Sequence, residues 1–318
     1  MTVIGNDVEV AAKLLNSNEV IAIPTETVYG LAGNALNPST VENIFKIKNR
    51  PFKNPLIIHL ADTSELYKYV KNIPALAEKL IEHFCPGALT LLLPKNELIP
   101  DVVTAGFQNV AVRFPNHPVA TELLRKLSFP LAAPSANPFG YISPTSAQDV
   151  KRLLSGKINY ILDGGLCQQG IESTIIGFQN KQAVLYRHGS ISIEEIESVT
   201  GKLIIATKNE TNPNAPGMLS KHYAPNTKTF LTSDVKELAI KFSAKKIGLL
   251  LFHQKIDDTH VLYQEILSPT KSLKQAASNL YATLHRLDLC NLDMIIAERL
   301  PDEGLGKTIN DRLERATK

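Results

Sequence analysis

The sequence predicts an α/β protein in two parts, an open, twisted, mixed sheet followed by a small Rossmann-like sheet. Short apolar runs alternate with amphipathic stretches from the start of the chain, and several runs lie too close together for a helix between them. A polar segment, 207–228, then breaks the rhythm before it restarts.

Taken in order, strands are expected at 20–23 and 56–60 with a helix near 40–48 between them, then a helix near 74–84. Further strands fit 89–93, 110–114, 131–133, 160–162, 174–178 and 184–186, and helices fit 119–127, 147–154 and 193–199. The segment 207–228, TKNETNPNAPGMLSKHYAPNTK, has three prolines, one glycine and no apolar period, so it reads as a linker between units 1–206 and 229–318. Beyond it, strands at 229–231, 247–252, 261–266 and 294–297 alternate with helices at 235–244, 273–289 and near 308–316.

Composition excludes several classes. With 44% hydrophobic and 20% charged residues the chain of 318 is neither disordered nor of low complexity, and two domains are the natural expectation. A net charge of +3 is too small for a nucleic-acid coat, so any basic surface is local. Cys85, Cys167 and Cys290 are odd in number and form no C-x-x-C pair, which fits a reducing compartment and excludes a zinc knuckle. The N-terminus is acidic where a signal peptide is basic, and no run approaches the apolar length of a membrane span, so a cytoplasmic protein without a membrane segment is expected.

The densest polar constellation is KNRPFKNPLIIHL, where Lys48, Arg50 and Lys53 precede an apolar strand ending at His59. Cations at the mouth of a buried strand are placed to meet phosphates, although the same run also reads as a solvated basic loop. Pro51 and Pro55 stiffen it, which lowers the entropic cost of holding Arg50 and Asn54 toward a ligand. A second constellation, APSANPFGYISPTSAQDV, supplies Ser135, Asn137 and Ser143 before a helix. It reads equally as an anion cradle or as a helix start capped by Ser143 or Thr145. Thr25 and Thr27 in PTETVYGLAG, Arg113 in VAVRFPNHP, Ser173 in GIESTIIGF and Arg187 in LYRHGS lie at strand ends or turns, where α/β folds gather ligand groups.

Other templates fail. Gly306-Lys307-Thr308 ends like a phosphate loop, but Pro301 stands where that signature needs glycine and has no N–H to donate. There is no G-x-S-x-G, no H-E-x-x-H and no histidine pair at metal-ligand spacing, so no protein metal site is expected. No acid–base or covalent apparatus is obvious, an absence compatible with phosphoryl or nucleotidyl transfer, which needs mainly positioning and positive charge.

In order, PTETVYGLA, KNRPFKNPLIIH, PGALTLLL, VAVRFPNHP, APSANPFGYISPT, GIEST, LYRHGSI, APGMLSKHYAP and DRLERA resemble the motifs of the threonylcarbamoyl-AMP synthase (YrdC-like) family in its long, two-domain form. The resemblance implies an open twisted sheet with a large concave basic cavity. It implies a reaction of L-threonine, bicarbonate and ATP that yields threonylcarbamoyl-AMP and pyrophosphate for the threonylcarbamoyladenosine modification of tRNA. Lys48 and Arg50 would be its catalytic K-x-R pair, and Ser135 with Asn137 its S-x-N motif around the phosphates and adenylate. Asn54, Ser143, Arg187 and Tyr223 would be further ATP contacts, and Thr27, His59, Arg113 and Ser173 would surround threonine. The linker, with His222 and Tyr223, would act as a lid. Mg²⁺ would arrive with ATP, no prosthetic group is implied, and the product would pass to the tRNA threonylcarbamoyl transferase complex. Departures from the family pattern fall at Ala88, Phe139-Gly140 and Leu219-Ser220, and none removes a charged site residue. Two competing readings are an RNA-binding module without catalysis, which would hold double-stranded RNA or tRNA through phosphates alone, and a P-loop NTPase in the second unit.

Overall fold

The computed structural model of the chain describes residues 1–206, 222–257, 261 and 263–318. The first unit opens with β1 (Val3–Gly5) and α1 (Val8–Asn16), neither of which the apolar pattern announces. Three residues are too few to show a period, and α1 is marked chiefly by its cap, Asp7, whose carboxylate accepts from the N–H groups of Glu9 and Val10. Strands β2 (Ile21–Ile23) and β3 (Gly30–Asn34) follow, then α2 (Pro38–Lys48) and β4 (Ile57–His59). β3 escapes a sequence reading because GLAGN is glycine-rich, and one of those glycines is needed: a Cβ on Gly33 would lie 2.6 Å from the Thr40 side chain of α2.

Next come α3 (Ala75–Phe84), β5 (Leu89–Pro94), α4 (Asp101–Thr104), β6 (Asn109–Arg113), α5 (Pro118–Arg125) and β7 (Leu131–Ala132). The unit closes with α6 (Ala147–Leu154), β8 (Tyr160–Leu162), β9 (Thr174–Gln179), β10 (Gln182–Arg187), α7 (Ile193–Thr200) and β11 (Ile204–Ile205). The cap of α6 is Ser146, which accepts from the Asp149 N–H, rather than Ser143 or Thr145. These strands form one 11-stranded sheet in the order β1-β8-β2-β3-β7-β4-β6-β5-β9-β10-β11. It is mixed, as the close spacing of the apolar runs requires: β4 and β6 run parallel while β5 and β6 run antiparallel.

The second unit holds β12 (Thr229–Thr232), α8 (Val235–Lys241), β13 (Ile247–Leu251), β14 (Tyr263–Ile266), α9 (Leu273–Asp288), β15 (Met294–Glu298) and α10 (Leu305–Ala316). Its 4-stranded sheet, ordered β12-β15-β13-β14, is parallel throughout. α10 begins earlier than expected, so Thr308 lies inside the helix and donates its hydroxyl to Gly189 O at 2.9 Å instead of capping. The linker residues 207–221, including Leu219 and Ser220, lie outside the described residues.

Side-chain alternation on the large sheet decides where a site can form. On one face Ile58, Leu91 and Val112 pack under α2, α3, α4, α6 and α7 in the largest core cluster. On the opposite face α1 and α5 cover β2, β3, β7 and β8. The cluster beside them, Ile57, Leu92, Ala111 and Ile175 of β4, β5, β6 and β9, contains no helix residue. That stretch of sheet is roofed by loops and by the second unit, whose core cluster takes in Val28, Ile142, Ile171 and Tyr223.

Candidate active site

The hollow on that face collects its polar groups by strand register. β4 and β6 place His59 beside Arg113, and Ile57, paired in register with Ala111, lines the hollow with them. Arg187 reaches the same face through a β-bulge between Leu185 and Arg187, which pairs it with Ile175. Leu185 points into the helix-covered core, so without the bulge strict alternation would bury the guanidinium there as well. The turn after β2 adds Thr27, the loop after β7 adds Ser135, and the approach to β9 adds Glu172 and Ser173. His222 and Tyr223 close the space and are 6% and 1% exposed. About 50 Å³ remains free. That is room for a water or two, far below the several hundred Å³ of an ordinary ligand pocket.

Eight of the expected site residues line this hollow: Thr27, Arg50, His59, Arg113, Ser135, Ser173, Arg187 and Tyr223. The other four, Lys48, Asn54, Asn137 and Ser143, are not among its lining residues. Lys48, the buried last residue of α2, donates its ammonium to Ser135 O and, at 2.6 Å, to Asn137 O. Burial, then the neighbouring Arg50, holds that ammonium well below its ordinary pKa. Asn137 turns its amide to Pro138 O and Tyr141 O at 2.9 and 2.8 Å, which folds the loop on itself. Ser143 donates to Glu172 at 2.7 Å. Asn54 is fully buried and neither end of its amide has a partner, an expensive state for a polar group and one that a ligand would relieve.

Arg50 arrives through the left-handed Asn49 that ends α2 and reverses the chain. Its Nε donates to Asn54 O at 3.1 Å and a terminal nitrogen to Pro55 O at 2.8 Å. Burial pushes its pKa down to about 9, with Arg187 adding to the effect against the Tyr223 phenol. Arg187 grips Ser173 twice, at the carbonyl and the hydroxyl, each at 3.0 Å. The Ser173 hydroxyl is also 2.7 Å from that of Thr90.

At the other end Arg113 forms a 2.8 Å ion pair with Glu26, both side chains buried. His59 beside it is pushed down to about 3 by burial and by the Arg113 charge, so its imidazole is neutral, and its Nδ1 has no partner. Thr25 is structural: its hydroxyl donates to Val28 O at 2.7 Å and accepts from the N–H of Thr27 and Val28, shaping the turn that presents Thr27.

Four residues here escape a sequence reading. Glu26 lies between Thr25 and Thr27 and Glu172 precedes Ser173, so both sit inside recognisable motifs without showing what they pair with. Arg312 lies in DRLERA, and Tyr281 sits mid-helix in α9 with no local signal. Glu172 accepts from Ser143, from the Tyr281 hydroxyl at 2.9 Å and from Arg312 Nε at 2.9 Å. Burial alone would raise its pKa, but Arg312, then Arg187, outweigh this and hold the carboxyl below its usual range. The Gly306-Lys307-Thr308 stretch takes no part: Lys307 pairs with Glu194 at 2.6 Å, and a Cβ on Gly306 would collide with Pro301 O at 1.9 Å. Among the described residues no group of three or more His, Cys, Asp or Glu is placed to hold a metal ion, and no helix is long and apolar enough to cross a membrane.

A family model described as "Telomere recombination" (Sua5_yciO_yrdC) matches residues 13–189, and one described as "Threonylcarbamoyl-AMP synthase, C-terminal domain" matches 191–317. The threonylcarbamoyl-AMP synthase of Pyrococcus abyssi (strain GE5 / Orsay) is 40% identical over 324 residues, which cover 98% of this chain and 94% of that one. The chain belongs to the threonylcarbamoyl-AMP synthase family. A crystal structure of P. abyssi Sua5 complexed with L-threonine superposes with a TM-score of 0.93 at 38% identity, over 99% of this chain and 98% of that one. E. coli YciO, 22% identical with a TM-score of 0.52, shares the fold over 59% of this chain. Family members differ in length: the threonylcarbamoyl-AMP synthase of Cellvibrio japonicus is 31% identical over 157 residues, which are 49% of this chain but 83% of that protein.

Proposed function

We propose that the chain is an L-threonylcarbamoyladenylate synthase, a nucleotidyltransferase that condenses L-threonine, bicarbonate or CO₂ and ATP into threonylcarbamoyl-AMP and pyrophosphate. One observation carries the reading: three buried guanidinium groups, Arg50, Arg113 and Arg187, converge with the hydroxyls of Thr27 and Ser173 on a single hollow. Two anionic ends of one reaction, a triphosphate and an amino-acid carboxylate, require such a set.

Arg50 and Arg187, with the unpartnered Asn54 amide and Ser135, form the nucleotide end. Lys48 supports it by fixing the carbonyls of the S-x-N loop, which Asn137 and Ser143 brace. Arg113, neutral His59, Thr27 and Ser173 form the threonine end, where the Glu26 pair keeps Arg113 oriented. The free amine of threonine captures CO₂ as a carbamate, giving up a proton. A carbamate oxygen then attacks the α-phosphorus in line, and the α–β bridging oxygen leaves with pyrophosphate. Arg50 and Arg187 offset the charge that gathers on the phosphates. A polar pocket for the threonine hydroxyl disfavours analogues that lack it. Mg²⁺ is carried in by the nucleotide as part of the substrate.

ATP requires the volume that His222 and Tyr223 now fill, so these two residues act as the lid at the end of the linker 207–228 that joins units 1–206 and 229–318. Substrates and product suit a cytoplasmic enzyme that feeds a tRNA threonylcarbamoyl transferase complex. The burial of Arg50, Arg113 and Arg187 favours this over an RNA-binding module, since buried guanidinium groups are out of reach of a duplex backbone. Pyrophosphate release, measured with threonine, bicarbonate and ATP omitted in turn, is expected to need all three. Release without threonine would overturn the reading.

A further inference from the structure

Arg312 belongs to the second unit, yet its guanidinium is committed to the first. It is 1% exposed. Nε donates to Glu172 at 2.9 Å, and one terminal nitrogen donates to His188 O at 2.6 Å. The other donates to Asp311 at 2.7 Å, and the guanidinium carbon lies 4.6 Å from the centre of the Tyr223 ring. Each of the three nitrogens of the planar fork is therefore engaged, and its face carries an aromatic ring.

Glu172 makes this arrangement necessary. Its carboxylate lines the same hollow as Arg50 and Arg187. Uncompensated, it would cancel the Arg187 charge and repel an incoming triphosphate at low dielectric. The first unit offers it the Ser143 hydroxyl and the nearby Arg187 charge, which a bound nucleotide would need for itself, while the second supplies the Tyr281 hydroxyl and the Arg312 cation. Tyr223 is held in turn: its backbone is left-handed at φ 66°, a conformation a tyrosine keeps only when its surroundings impose it. The stacked guanidinium and the Tyr281 ring, 5.8 Å away, do so.

We propose that Arg312 is a positioning residue of the adenylation reaction: across the unit boundary it neutralises Glu172 at the edge of the nucleotide pocket, so the first unit's site is complete only with α10 docked. The proposal rests on the hollow being the nucleotide site. It gives the second unit a part in catalysis without contact to substrate. The requirement is created by this chain's own Glu172–Arg312 pair.

The test is steady-state pyrophosphate release by the full chain carrying Arg312→Leu, Glu172→Gln or both, with Arg50→Ala as control. Arg312→Leu is expected to raise the KM for ATP about tenfold or more, as an unpaired buried carboxylate beside phosphates demands, while the KM for threonine moves less than about twofold. Glu172→Gln in the same chain is expected to restore most of the ATP affinity, because the charge that needed compensation is gone. If Arg312→Leu does not fold, the double variant decides, and a folded double variant with a near-wild-type KM for ATP supports the proposal. An unchanged KM in folded Arg312→Leu, or a double variant no better than the single, overturns it. Were Arg50→Ala silent in an otherwise active enzyme, the assignment of the hollow would fall instead.

Discussion

The two faces of the large sheet are built from the same strands and do opposite work. Along β4, Ile58 enters a helix-covered core while its neighbours Ile57 and His59 face the hollow. Along β6, Val112 lies in that core and Arg113 in the hollow. A two-residue period lets a single strand anchor the fold with one side chain and serve a ligand with the next, and the dense helix side supplies the rigidity on which the polar side depends. The price of the arrangement appears on the polar side, where Asn54, His59 and Glu26 hold buried atoms without hydrogen-bond partners.

The contrast can be broken by substitutions on either side. Phe45→Ala removes a fully buried ring beneath the helix-covered face and is expected to cost about 3–5 kcal/mol of stability in urea unfolding, with turnover per folded molecule retained. A comparable loss of kcat/KM at wild-type stability would mean that the two faces are not separable. Arg50→Ala is the reverse case: a loss of kcat/KM of about 10²–10³-fold, equivalent to roughly 3–4 kcal/mol, is expected in pyrophosphate release with near-native circular dichroism.

A smaller effect comes from pH. Native His59 stays unprotonated down to about pH 3, whereas the unfolded chain takes up that proton near 6.5. Unfolding is therefore favoured as pH falls, by about 1.4 kcal/mol per unit below 6.5 from this group alone, and the contribution is constant above 6.5. Urea titrations between pH 7 and pH 5 should show the slope, and His59→Gln should flatten it by one proton. An identical slope in the variant would place the proton elsewhere. The smallest effect is expected away from both faces, at Lys307→Ala, which loses a partly exposed ion pair to Glu194 worth about 0–1 kcal/mol. ATP use should persist. Its loss would revive a phosphate loop in the second unit.

Most strands were legible because they are long apolar runs bounded by turn residues. β1, β3 and β11 were not, β1 and β11 being three and two residues long and β3 rich in glycine. The site was legible as a collection of side chains at strand ends. Its internal order was not: sequence makes Lys48 and Arg50 a pair, whereas in the fold Lys48 grips the carbonyls of Ser135 and Asn137 and only Arg50 lines the hollow. Nor does LYRHGS reveal that a bulge turns Arg187 away from the helix-covered side.

By itself the sequence determined most of the elements and the two-part division of the sheets, since these follow from periodicity, turn chemistry or spacing within a few neighbours, and it supplied the motif residues at one face through their resemblance to a family. Only the tertiary structure decided which charge answers which. Glu26 meets Arg113, and Glu172 meets an arginine 140 residues away on a helix of the other unit. Electrostatic compensation depends on separation in space after packing, and no local rule carries that distance.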